Sequence, residues 1–114
     1  MTALYVDEGT GARIINLDRV IDIFPIFHDE GESPGLCFCT DNGQEHVVYL
    51  DTDQIYGDFF SFDRTERELE DFALPKLNDI LWQIAVVTKE KGCLLLKRDD
   101  DKRCGYGVTP QVAW

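Results

Sequence analysis

Short apolar runs separated by turn residues occupy much of the first half of the chain. Val20 to Phe27 is rich in β-branched and aromatic residues, and Leu36 to Cys39 is a second apolar run. Asp41-Asn42-Gly43 follows, and Asn-Gly favours the positive φ angles of a tight hairpin before a third run from Val47 to Leu50. The pattern predicts an antiparallel meander of three strands over residues 20–50.

Two further strands are predicted before this meander. Leu4 to Val6 leads into a glycine-containing turn, and Arg13 to Leu17 is the strand into which that turn returns. Pro25 interrupts the first run of the meander. Because proline has no amide hydrogen to donate to a neighbouring strand, its strand is expected to lie at a sheet edge or to contain a bulge.

The period of the apolar residues then changes to three and four, which is typical of an amphipathic helix. Thr65 and Glu68 have the spacing of a capping box, and Gly92 stands where a helix C-terminus is expected. We therefore predict a helical segment at about residues 64–91. Pro75 either kinks one long helix or starts a second one, and we favour two helical pieces with a bend. The apolar positions are Leu69, Phe72, Leu77, Ile80, Leu81, Ile84 and Val87.

The chain after the helix predicts a C-terminal β-hairpin. Cys93 to Leu96 and Cys104 to Val108 are its expected arms, joined by the charged residues 97–103. The whole sequence, residues 1–114, is thus interpreted as a single α+β domain. An antiparallel β-sheet of about five to seven strands packs on the bent helical segment at residues 64–91.

Charge narrows the range of partners. The 114 residues have a net charge of −11, and residues 1–57 alone hold eleven acids against Arg13 and Arg19. Such a field repels nucleic acid and anionic lipid, so we expect no direct nucleic-acid binding and no membrane association. No signal peptide or membrane-spanning run is recognisable, so a cytoplasmic location with reduced thiols is expected.

The cysteines and histidines are the candidate metal ligands of the sequence. Cys37 and Cys39 flank one residue, so on a strand both thiols point to the same face, where Cys93, Cys104, His28 or His46 would complete a tetrahedral site. Paired cysteines at structural zinc sites usually have at least two residues between them. We therefore predict small buried side chains here, with no metal and no cofactor, and the histidines match no catalytic pattern.

Acidic residues gather in turns. Asp51 and Asp53 follow the third strand of the meander and are expected to share a face of its extended end, and Asp99 to Asp101 sit at a hairpin tip. None of these groups has the spacing of a calcium loop. We interpret five of the acids as facing a partner: Asp29, Glu30, Glu32, Asp51 and Asp53.

A group of aromatic residues precedes the helix. Tyr56, Phe59 and Phe60 are expected either to plug the space between helix and sheet or, with Trp82, to line a ligand pocket. Core packing is the interpretation that we favour for most of them. No residue is assigned a catalytic role.

Three functional hypotheses follow, in order of preference. The first is a non-catalytic protein-binding or adaptor module whose acidic half meets a protein with a basic surface. The second is an acidic mimic of nucleic acid that inhibits a DNA- or RNA-binding protein, and the third is a small-molecule-binding protein with a pocket between helix and sheet. A homodimer is expected if the second face of the sheet is also apolar.

Overall fold

The strands of the chain form two sheets that share one long helix. The computed structural model describes residues 2–7, 11–90, 92–99 and 105–111. Short 3₁₀ turns lie at Leu17–Arg19 and Gly57–Phe59. The elements in chain order are β1 (Ala3–Asp7), β2 (Ala12–Asn16), β3 (Val20–His28), β4 (Ser33–Thr40), β5 (Glu45–Tyr49), α1 (Thr52–Tyr56), α2 (Glu66–Thr88), β6 (Cys93–Arg98) and β7 (Tyr106–Pro110).

The predicted α+β class and the predicted hairpins are confirmed. The meander is the three-stranded sheet β3-β4-β5, which is antiparallel throughout, and β6 and β7 form the C-terminal hairpin. The four-stranded sheet has the order β2-β1-β6-β7, and β1 runs parallel to β6. The sequence did not indicate the division into two sheets or this parallel pair, because apolar periodicity identifies strands without identifying their partners.

Helix α2 joins the two sheets. It contacts β3 and β4 of one sheet and β6 and β7 of the other. Its buried positions recur at three- and four-residue spacings and pack with both sheets in one core, so a single apolar stripe serves both. Neither described helix has the length and apolarity needed to cross a bilayer. The buried positions of α2 are Leu69, Ala73, Leu77, Ile80 and Ile84.

Pro75 lies inside α2, and the helix continues on both sides of it. The preference for two helical pieces was therefore wrong, and one continuous helix is observed. Proline removes the hydrogen bond to the carbonyl four residues earlier, which belongs to Asp71. Both residues lie on the exposed side, and the buried stripe on the opposite side maintains the helix.

The segment after β5 differs from its prediction. Asp51 and Asp53 were expected on extended chain, but Asp51 is the N-cap of α1 and accepts a hydrogen bond from the Gln54 amide at 3.1 Å. An aspartate side chain that satisfies a free amide favours a helical turn over a continued strand. Asp53 therefore lies in the first turn of α1.

The predicted cap of α2 is confirmed. The Thr65 hydroxyl accepts a hydrogen bond from the Glu68 amide at 3.2 Å. We expect Thr65→Ala to lower the free energy of unfolding by about 1 kcal/mol, because a first-turn amide loses its partner. Thr65→Ser, which keeps the hydroxyl, is the matched control. Urea denaturation measures both, and an equal loss in the two variants would contradict the capping role.

The turn between β3 and β4 rests against α2. Gly31 has a φ of +87°, and a Cβ placed there would lie 3.1 Å from the carbonyl oxygen of Glu66. Gly43, in the β4–β5 turn, has a nearly identical φ of +86° with no heavy atom within 4 Å of such a Cβ. Substitutions at both glycines therefore introduce the same backbone strain, and only the one at Gly31 also introduces a contact with the helix.

We expect Gly31→Ala to destabilise the fold more than Gly43→Ala does. Both variants incur the cost of a left-handed alanine, about 1–2 kcal/mol, and only Gly31→Ala adds a close contact with α2. Urea denaturation of the two variants measures the difference. Equal losses would show that the turn does not pack on α2 in solution.

Candidate functional site

The three-stranded sheet has apolar side chains on both faces. Its inner face carries Leu36, Phe38 and Val48, which belong to the core shared with α2. Since successive residues of a strand point to opposite sides, the residues between them form a second face. We call this second surface the outer face; cross-strand pairing defines it as Asp22, Cys39 and Glu45 in one row, Phe24, Cys37 and Val47 in the next, and Ile26, Gly35 and Tyr49 in the third.

A bulge in β3 sets which residues reach the outer face. Val20 pairs with Thr40 and Asp22 with Cys39, so Ile21 is an extra residue opposite a single step of β4. Without the bulge, Ile21 would oppose Cys39. The bulge instead places Asp22 beside Cys39 and Phe24 beside Cys37.

The outer face is open at its aromatic positions. Phe24 is 37% exposed and Tyr49 is 47% exposed, and the Tyr49 ring lies 5.9 Å from that of His28. Gly35 lies on β4, between β3 and β5, and a Cβ there would be 3.2 Å from the Tyr49 ring. Exposed carboxylates border the face: Asp22 and Glu45 at one end, and Asp29 beyond His28 at the other. The surface therefore combines an apolar centre with an acidic rim.

A thiol pair lies within the outer face. The Sγ atoms of Cys37 and Cys39 are 4.0 Å apart, and one oxygen of Glu45 lies within 4.8 Å of both. Burial, a hydrogen bond with Cys39 and the nearby charges of Cys39, Glu45 and Asp22 together raise the pKa of Cys37 to about 11, and burial contributes most. The predicted same-face placement of the two cysteines is confirmed.

The other proposed ligands of these cysteines lie elsewhere. His46 pairs with Phe38 and so belongs to the inner face, while His28 pairs with Ser33 at the far end of the sheet. Cys93 is on β6 in the other sheet, and Cys104 lies outside the described residues. Glu45, which was not predicted as a ligand from the sequence, lies beside the two thiols instead of these residues.

The two segments that carry the five acids predicted to face a partner contact each other. Asp29, Glu30 and Glu32 lie in the β3–β4 turn, and the carbonyl of Glu32 accepts a hydrogen bond at 3.1 Å from the hydroxyl of Thr52, which stands between Asp51 and Asp53. The last two residues cap and begin α1. The fold therefore joins two acidic segments that are about twenty positions apart in the sequence.

These acids differ in how far they are engaged within the chain. The carboxylate of Asp51 caps α1 and forms an ion pair with Arg98 at 3.1 Å. Asp29 pairs with His28 at 3.4 Å. Glu30 is exposed and has a φ of +56°, a conformation that is sterically unfavourable for glutamate.

The proposed pocket residues divide between two places. Tyr56 is buried, its ring centroid lies 5.9 Å from that of Phe60, and Phe59 stacks on Phe72 at 4.1 Å. Trp82, by contrast, is 70% exposed and lies about 15 Å along α2 from Phe72. The first three residues pack together as the plug interpretation predicts, and whether any of the four binds a ligand stays a prediction.

A groove lies elsewhere, between β3 and α2. It has a volume of 420 Å³. A smaller pocket of 300 Å³ lies between α1, α2 and Tyr106. The lining of the larger groove is mostly aliphatic and includes Leu17, Val20, Ile23, Leu81 and Ile84.

Tyr56 connects α1 to the acidic turn. Its hydroxyl donates a hydrogen bond to the carbonyl of Gly31. Burial, together with the neighbouring carboxylates of Glu70 and Glu32, raises the pKa of Tyr56 to about 12. Because folding favours the neutral phenol, its contribution to stability is complete below the unfolded pKa of about 10 and is lost as pH rises toward 12.

We expect Tyr56→Phe to lower the free energy of unfolding at neutral pH by about 1–2 kcal/mol, since the buried carbonyl of Gly31 loses its donor. The variant should also lose less of its remaining stability on going from pH 9 to about 11. Urea denaturation over a pH series measures both effects. Tyr5→Phe, at a partly exposed tyrosine, is the control, and an unchanged alkaline loss in Tyr56→Phe would contradict the assignment.

Sequence reasoning indicated an apolar second face without naming its members. The run from Val20 to Phe27 suggested apolar residues on both sides of β3. The alternation of Glu45, Val47 and Tyr49 on β5 was the available signal for the third strand. Pro25 indicated an edge strand or a bulge, but no signal placed the bulge between Val20 and Asp22, so the neighbours of the cysteines were not predictable.

Comparison with known protein families, with curated proteins and with solved structures yields no significant match.

Proposed function

We propose that this chain is a small acidic protein-binding module, without a catalytic role, that docks a protein with a basic surface on its outer face. The observation that carries the proposal is the apolar second face of the three-stranded sheet, where Phe24 and Tyr49 are exposed between carboxylates. The proposal places the protein in the reducing cytoplasm, where its cysteines stay as free thiols.

The arrangement has the anatomy of a binding surface. Aromatic side chains supply most of the energy of protein interfaces, and a charged rim contributes specificity and association rate. Phe24 and Tyr49 are the candidate anchors, on the two edge strands of the sheet. Asp22, Glu45 and Asp29 are the rim charges, and they complement lysines and arginines on the partner.

Charge favours a basic partner over a second copy of the chain. Two copies would each carry a net charge of −11, and their rims would meet as like charges. Self-association on the same face is the competing occupant that the sequence suggested, and screening by salt would strengthen it. Binding to a basic partner weakens with salt, so the two occupants respond in opposite directions.

Nucleic-acid mimicry is the second candidate. It is favoured by a different observation, the contact between the β3–β4 turn and α1, which carry Asp29, Glu30, Glu32 and Asp53. A mimic would compete with DNA or RNA through these carboxylates and would not need Phe24 or Tyr49. The two functions therefore share Asp29 but differ in their other residues.

Affinity capture from nuclease-treated lysate tests the proposal, with tagged wild type and the variants Phe24→Thr and Tyr49→Thr. Threonine keeps the β-propensity of the strands while removing the ring. A basic protein retained at low salt should be lost at high salt, and each variant should bind it at least about fivefold more weakly. Phe62→Thr, at a ring that is 84% exposed outside the face, should bind like wild type.

Two results would contradict the proposal. Equal retention by Phe24→Thr, Tyr49→Thr and wild type would remove the outer face from the interaction, and displacement of the partner by DNA would support mimicry. Analytical sedimentation over a salt series tests whether a second copy of the chain occupies the outer face. A dimer that strengthens with salt and is lost in Phe24→Thr would assign the face to a second copy.

A further inference from the structure

We propose that Cys37, Cys39 and Glu45 form a site for a thiolate-preferring divalent cation of the zinc class. The inference stands on side-chain positions in the sheet and does not rest on the proposed partner. It differs from the sequence prediction of no metal. That prediction relied on the usual spacing of paired zinc-binding cysteines, which have at least two residues between them.

The spacing of the sulfur atoms fits a tetrahedral ion. Zinc–sulfur bonds of about 2.3 Å at a tetrahedral angle place two sulfurs about 3.8 Å apart. The observed Sγ–Sγ distance between Cys37 and Cys39 is 4.0 Å. Alternate residues of an extended strand therefore meet this requirement without curling around the ion.

Glu45 supplies a third ligand from the neighbouring strand. It pairs directly with Cys39, and its carboxylate oxygen and the two sulfurs all lie within 4.8 Å of one another. Two thiolates and a carboxylate suit zinc better than calcium or magnesium, which prefer oxygen ligands alone. The fourth position of a tetrahedral ion is left for a water molecule or another ligand.

The local charge favours a cation. Asp22 lies on the other side of Cys39 from Glu45, so carboxylates flank the thiol pair on both neighbouring strands. In the absence of an ion this negative potential disfavours the thiolate form of Cys37. A bound divalent cation reverses that effect and makes the same charges favourable.

The thiol pair is only partly accessible to solvent, which limits its reaction with large thiol reagents more than its access to a metal ion. Cys37 is 2% exposed and Cys39 is partly exposed, so solvent reaches the site from one side. The ion would connect the central strand β4 to the edge strand β5. Binding should therefore stabilise the fold as well as occupy the thiols.

Titration of the reduced full chain with Zn²⁺ against a chromophoric competitor is the first test, with Co²⁺ as the spectroscopic probe. We expect one ion per chain, a thiolate-to-cobalt charge-transfer band and a zinc-dependent rise in the unfolding temperature. Cys39→Ser and Glu45→Gln alter the less buried ligands and so are least prone to misfold. Each should weaken zinc binding more than about tenfold, the lower bound found even for outer-sphere partners.

Cys93→Ser is the matched control, because that cysteine lies on β6 in the other sheet. It should keep the affinity, the stoichiometry and the charge-transfer band of wild type. The inference is overturned if reduced wild type binds no zinc, if Cys39→Ser binds zinc as tightly as wild type, or if the band is lost in Cys93→Ser instead.

Discussion

The structure depends on the packing of one helix against two sheets. Helix α2 buries a single apolar stripe, and strands from both sheets supply the opposing side chains, so neither sheet has a core of its own. Leu77 and Ala73, both fully buried, lie near the middle of this stripe. Burial on one side maintains the helix through Pro75, because the lost hydrogen bond lies on the opposite, hydrated side.

This arrangement leaves the three-stranded sheet with one covered face and one open face. The side chains of the covered face form the core with α2, and the apolar residues of the open face do not take part in it. Exposed aromatic side chains on a sheet tend to mark a contact surface, because they are unfavourable in water. The same face contains the thiol pair, and the acidic rim belongs to both proposals: in one it orients a basic partner, and in the other it favours a bound cation.

Local patterns in the sequence predicted most of the elements and fewer of their relationships. The meander, the capping box at Thr65 and the terminal hairpin follow from turn residues and periodicity, which act over a few positions. The parallel pairing of β1 with β6 joins residues about ninety positions apart and has no local signal. Asp51 illustrates an intermediate case, since one aspartate is compatible with both a strand end and a helix cap.

The candidate site was partly predictable for the same reason. Placement of Cys37 and Cys39 on one face follows from the period of a strand. The position of Glu45 depends on the pairing of β4 with β5, and that of Asp22 depends on the bulge after Val20. Convergence of the acidic turn and α1 is likewise tertiary, because it is formed by the contact between Thr52 and Glu32.

Hydroxyl-radical footprinting of the free chain at low concentration tests most directly the claim that the outer face is open and apolar. We expect the rings of Phe24 and Tyr49 to be labelled clearly, approaching exposed Phe62, while buried Phe38 and Tyr56 stay protected. Protection of Phe24 and Tyr49 to the level of Phe38 would contradict that claim, because the face would then already be covered.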